Sequence, residues 1–204
     1  MCLLIHKPSG VLVPDALLRA AIAFNGDGFG LMGIGADGGV IIERRVGLSI
    51  DALRDRLADL RHAEIAVHLR RRTYGAPSLS NVHPFEVDDG IYLMHNGNLR
   101  SRVAEPRQSD TWHFVRDVLR PLAQKWPGIL HSEAFARLLD SVMDPGNRMI
   151  LFDARAGRLR LINRHAGIEI EHDGLWIGSA RWLDTSVYPV SANPPPLPAL
   201  VGWG

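Results

Sequence analysis

The chain holds 204 residues, and its 23 basic and 22 acidic side chains leave a formal net charge of +1, so no global field gathers nucleic acid. Hydrophobic content of 46% and charged content of 22% are those of an ordinary globular domain, long enough for a substantial core. A single cysteine, Cys2, excludes an internal disulfide framework and fits a reducing compartment. The opening "CLLI" is too short for a secretory signal, and no apolar run approaches the ~20 residues of a membrane span. The expected location is the cytoplasm.

In chain order, "CLLI" reads as a short buried strand. "PDALLRAAIAF" follows as a helix, with Leu17, Leu18, Ala21 and Ile22 at helical spacing and Asn25-Gly26 as its stop. "GFGLMGIGADGGVIIERRV" is two apolar segments about Asp37-Gly38, a β-hairpin. "SIDALRDRLADLRH" places Ser49 as N-cap before an apolar stripe of Ile50, Leu53, Leu57 and Leu60. "EIAVHLR" alternates as a strand, with Ile65, Val67 and Leu69 on one face, and "GIYLMH" is another strand.

Two helices are expected next, "SDTWHFVRDVLRPLAQKW", kinked or shortened at Pro121, and "SEAFARLLDSVM". The last third reads as a meander of "NRMILFDA", "RLRLIN", "IEIEH" and "LWIGS". Hairpin-linked strands with helices in separate blocks give an α+β layered domain with antiparallel sheets. The domain is expected over residues 1–187. The Pro-rich segment 188–204 is expected to pack on it through Leu197, Leu200 and Trp203.

Several local patterns carry little chemistry. "GFGLMG" (Gly28, Gly30, Gly33) fits G-x-G-x-x-G, but a helix precedes it and a strand follows, so these are strand and turn glycines. Among nine histidines, His68, His83 and His95 lack short ligand spacing, and one cysteine cannot complete a thiolate site, so no metal is expected. In "LRRRTYG", strand alternation would send Arg70 and Arg72 one way and Arg71 the other.

The informative set is ordered: Cys2, "HLRRRTYG" at 68–75, "NVHPF" at 81–85, "HNGNL" at 95–99 and "SDT" at 109–111. Together with "NGDGFG" at 25–30, it resembles the class II glutamine amidotransferase domain of the N-terminal nucleophile hydrolase superfamily, in its small bacterial form beginning Met-Cys. The resemblance implies a four-layer αββα fold of two antiparallel sheets between helices. It implies Cys2 as nucleophile once Met1 is removed, its own α-amine (unperturbed pKa about 7.7–8.0) being the base.

It further implies an oxyanion site from the Asn96 side chain and the Gly97 N–H, each donor worth roughly 2.7–4 kcal/mol. Arg70 and Thr73 would hold a substrate carboxylate and Asp110 its ammonium, although Asp110 also suits a helix N-cap. Asn81, His83 and His95 would support the site. Arg71, Arg72 and Trp112 depart from the family pattern and bear on pocket shape.

The implied activity is amide hydrolysis through a γ-glutamyl thioester, without cofactor. A separate ammonia-accepting synthase subunit is a possible partner, as is a second copy of the chain; no nucleic acid or membrane is expected. The alternatives are a stand-alone hydrolase of a γ-glutamyl or related amide, and a non-catalytic glutamine-binding module. Cys2 read without the resemblance is a small buried hydrophobe.

Overall fold

The computed structural model describes residues 2–72, 75–100, 104–170, 174–181 and 183–190. Two antiparallel sheets lie face to face. The first has six strands: β1 (Leu3–Lys7), β2 (Gly28–Ile34), β3 (Val40–Val46), β4 (Glu64–Arg70), β9 (Ile168–Glu169) and β10 (Trp176–Ile177), in the order β3-β2-β4-β1-β10-β9. The second has four: β5 (Phe85–Asp88), β6 (Ile91–Asn96), β7 (Arg148–Asp153) and β8 (Arg158–Ile162), in sequential order.

Strand alternation divides the core. Leu4, Met32, Ala66, Met94, Ile150, Phe152 and Trp176 face inward between the sheets. On the outer face of the first sheet, Leu3, Ile5, Leu31, Ile65, Val67 and Leu69 pack with α1 (Asp15–Ile22) and α2 (Ile50–Asp59) through Leu17, Leu18, Leu53 and Leu57. On the outer face of the second, Ile91, Leu93, Met149 and Leu151 meet Val115, Leu119, Ala123, Phe135 and Ala136 of the later helices. The product is helix, sheet, sheet, helix. This is the αββα arrangement expected, each apolar sheet face being covered by an apolar helix stripe.

Local signals account for most boundaries. Ser49 accepts the Ala52 N–H and so caps α2. Arg54 of α2 binds Asp15 of α1 at 2.6 Å. The β2–β3 hairpin pairs Ile34 with Val40, and Asp37 accepts the Gly39 N–H within the turn. The segment around Pro121 stays helical as α3 (Asp110–Phe114), a wide π turn (Val115–Leu119) and α4 (Arg120–Lys125). Pro121 has no N–H to give the turn before it, and the widened turn absorbs that loss where a kink or a shortened helix was expected. Then α5 (Glu133–Val142) precedes β7.

The expected meander is corrected in one respect. Strands β7 and β8 belong to the second sheet, whereas β9 and β10 belong to the first. The chain crosses between them at Asn163, a left-handed residue (φ 59°) whose amide donates to the carbonyls of Asp144 and Asn147. Strand β5, hidden in a short loop-like sequence, went unread. Tyr188 and Val190 pack against the first core, while Leu197, Leu200 and Trp203 lie outside the described residues. Among the described residues, no helix is long and apolar enough to cross a membrane.

Candidate active site

The strands bring the sequence's scattered motifs to one place. Cys2 precedes β1, Arg70 ends β4, Asn96 ends β6, and Asp110 opens α3. Cys2, Arg70 and Asp110 line a common cleft, and Asn96 adjoins it through the Cys2 carbonyl without lining it. Cys2, Arg70, Arg71, Asn81, His83, His95, Gly97 and Asp110 all line it. Thr73, the other residue expected to hold substrate, lies outside the described residues.

The Cys2 thiol reaches the Arg71 carbonyl at 3.5 Å. Burial pushes its pKa up; Arg70 pulls against that shift and Asp110 adds to it. The resting group is therefore a thiol rather than a thiolate. Asn96 donates from its side-chain amide to the Cys2 carbonyl, tying the end of β6 to the residue before β1. An amide NH2 has two hydrogens, so one remains for a second acceptor.

Gly97 follows with φ 140°, and a Cβ there would stand 2.7 Å from the Gly146 carbonyl oxygen and 2.8 Å from Asn147 Cα. Only glycine fits that close approach.

Arg70 is 3% exposed. One guanidinium nitrogen, Nη2, donates to the Ala76 carbonyl at 3.1 Å, and the other, Nη1, is buried without a partner among the described residues. A buried guanidinium with unspent donors is set to receive an anion. Asp110 is not the cap of α3. Ser109 fills that role by accepting the Trp112 N–H, so Asp110 stands one position inside the helix. Its carboxylate instead accepts the N–H of Leu99 at 2.7 Å and of Thr111 at 2.8 Å, holding the loop after Gly97 against α3.

Three polar residues fix the surrounding loops. Asn81, 1% exposed, donates to the carbonyls of Ala76 and Arg107 and accepts the Ser109 N–H at 2.8 Å. One side chain thereby joins the segments after β4 and before α3. His95 points to the helical side, where Nε2 donates to Asn147 Oδ1 at 3.0 Å and Nδ1 accepts from the Thr111 hydroxyl at 2.8 Å. Burial lowers its pKa, and the two bonds specify the neutral ring protonated at Nε2.

His83 stacks on His68 with ring centroids 4.0 Å apart, and Phe85 meets His83 edge-on at 4.6 Å. Among the described residues neither imidazole has a hydrogen-bond partner of good geometry, and burial pushes both pKa values down, that of His68 to about 3.

Two expectations about departures change. Strand β4 ends at Arg70, so alternation does not carry Arg71 away, and Arg71 lines the same cleft with its guanidinium over Phe24. Trp112 lies outside the cleft, in a neighbouring pocket beneath the Arg116 guanidinium. Asn147 and Asn163, which position Gly97 and its neighbours, were missed. Asn147 and Asn163 stood at the start of "NRMILFDA" and the end of "RLRLIN", where a single asparagine beside a strand has no distinguishing pattern. Among the described residues no group of three or more His, Cys, Asp or Glu side chains could hold a metal ion.

No protein-family model matches the chain, and no curated protein matches it. Solved structures similar to it include the glutamine phosphoribosylpyrophosphate amidotransferase of B. subtilis complexed with ADP and GMP, at 12% identity and a TM-score of 0.46. That similarity covers 92% of this chain and 43% of the other, so the chain spans less than half of that protein. Another is a glutamine aminotransferase class-II domain protein of Silicibacter pomeroyi, at 15% identity and a TM-score of 0.40, covering 87% of each chain.

Proposed function

We infer that the cleft hydrolyses the side-chain amide of glutamine, with Cys2 as nucleophile. The observation that carries this reading is the convergence of a thiol, an unspent guanidinium and a carboxylate in one cleft, from Cys2, Arg70 and Asp110. A free amino acid presents a carboxylate and an ammonium at fixed separation, and Arg70 and Asp110 complement those charges.

Removal of Met1 would free the α-amine of Cys2, whose pKa lies near neutrality, to take the thiol proton. The sulfur would then attack the amide carbon. The second hydrogen of the Asn96 amide and the N–H of Gly97 would receive the developing oxyanion. Ammonia would leave with the proton returned by the amine, and water would release glutamate from the thioester. Ammonia passes either to a partner synthase or to solvent. The reading places the protein in the cytoplasm, a reducing compartment that a lone nucleophilic thiol fits.

The test is ammonia release from glutamine by protein whose first residue is Cys2, verified by intact mass, alongside labelling by a glutamine-mimicking electrophile. Single-site modification of Cys2 with turnover supports the reading. Turnover unchanged in Cys2→Ala overturns it, and leaves Cys2 as packing.

A further inference from the structure

A second pocket opens where the edge strand of each sheet meets the other, β3 from the first and β5 from the second. Its volume is about 210 Å³. Three arginines reach it from three different elements: Arg44 on β3, Arg116 in the π turn and Arg120 at the start of α4. Trp112, Phe85 and Ser80 complete its wall, and Glu86 is its one acidic lining residue.

The arginines differ in how far they are committed. Arg116 lies over the Trp112 ring at 4.5 Å and is held by Glu105 and Asp117, so its plane is fixed while its charge is largely answered. Arg120 uses one nitrogen on the Glu86 carbonyl at 2.9 Å. Arg44 is exposed and has no partner among the described residues. Of the carboxylates around the cavity, Glu105 and Asp117 are taken by Arg116 and Glu86 stands in the wall, so the spare donors of Arg44 and Arg120 are what an entering anion would engage.

We propose that this pocket binds a compact phosphomonoester. Guanidinium groups reaching the pocket from β3 and from two successive turns of one helical segment offer several separate N–H donors, which suit a tetrahedral dianion with three terminal oxygens, whereas a planar carboxylate engages one fork. The volume falls below the ~300 Å³ at which sites for drug-sized ligands begin, which limits the organic body to a few atoms. Phe85 and Trp112 supply apolar surface for that body, and the Ser80 hydroxyl lies within the same wall.

The site is distinct from the Cys2 cleft, and its occupancy is measured without turnover. The experiment titrates the full chain calorimetrically with inorganic phosphate and with phenyl phosphate, and with citrate at equal ionic strength. One saturable site is expected for the phosphates, tighter for phenyl phosphate, with citrate weaker than either. Loss of a hydrogen bond to a charged group predicts that Arg44→Gln and Arg120→Gln each weaken phosphate binding about tenfold or more. The control Arg155→Gln, at an exposed pair with Asp89, leaves it unchanged. Circular dichroism verifies that all variants are folded. Absence of saturable phosphate binding, equal binding of citrate, or affinity retained in both arginine variants overturns the proposal.

Discussion

Replacing Gly30 by alanine tests how the cleft's outer loop is seated. Gly30 lies on β2, and its missing side chain lets the loop carrying Asn81 and His83 rest directly on the strand. A Cβ there would overlap the His83 carbonyl oxygen, stand 2.7 Å from its carbonyl carbon and 3.2 Å from the Glu43 oxygen. Both obstacles are backbone, so no rotamer relieves them. Ordinary carbon contacts lie at about 3.5–4.0 Å, so to clear the overlapped oxygen the loop must retreat by roughly 1.5 Å. Overpacking of this kind costs about 1–3 kcal/mol, and a domain of this size loses about 2–4 °C of Tm per kcal/mol.

Gly30→Ala should melt roughly 2–12 °C below wild type and react more slowly with a glutamine-mimicking electrophile, because Asn81 and His83 move with the loop. Gly26→Ala is the matched control, since a Cβ there meets nothing within 4 Å. Thermal melts and alkylation rates, measured together, decide the matter. If Gly30→Ala matches wild type in both, the loop is not seated on β2 as described.

Other perturbations separate chemistry from scaffolding. Cys2→Ala should abolish ammonia release yet retain glutamine binding by calorimetry, whereas Asn96→Ala should leave the thiol reactive and lower kcat by about 10²–10³. Arg70→Ala and Asp110→Ala should raise KM by roughly 10–150-fold, read from steady-state kinetics, since each removes a charge-assisted contact. Lys7, fully buried, donates to the carbonyls of Pro8, Arg61 and Ala63, so Lys7→Met should lower the denaturant midpoint by stranding them.

Acid should destabilise the fold. Below its ordinary value of 6.5 the unfolded chain protonates His68, whereas the folded chain does so only near 3, so stability falls as pH drops through that window. At pH 5.5 this site alone accounts for about 1.4 kcal/mol, and denaturant melts of wild type and His68→Gln should differ in their pH dependence accordingly.

The elements that the sequence made legible are those with long, unambiguous periodicity. The stripe of α2 is buried where its pattern says, at Leu53 and Leu57, whereas the alternation of "EIAVHLR" gives the strand but not its burial, since both faces of β4 are covered. What escaped depends on neighbours distant in sequence. The four residues of β5 carry too few alternations to announce a strand, and only pairing with β6 defines it. The split of the final strands between two sheets is decided by the polar crossing at Asn163, which no hydropathy pattern encodes. Cys2, Arg70, Asn96 and Asp110 were legible as a set because their residue types and order match a known pattern. Asn147 was not, because its role is to accept one bond from His95 and to leave room only for a glycine.

These differences point to how the cleft is built. The residues with chemical potential stand at the ends of β1, β4 and β6 and the start of α3, on elements fixed by apolar burial on both sheet faces. Buried amides and one neutral imidazole then hold the connecting loops: Asn81 joins the segments after β4 and before α3, His95 joins α3 to the turn before β7, and Asn163 pins the turn beside Gly97. Each is nearly inaccessible to solvent, so removing its side chain would leave buried carbonyls or N–H groups without partners. Such a cost falls on the loops, because the sheets' own ladders do not pass through these side chains. The cleft can therefore lose its geometry while the sandwich stays folded, and activity should be the more sensitive reporter of substitutions at Asn81, His95 and Asn147.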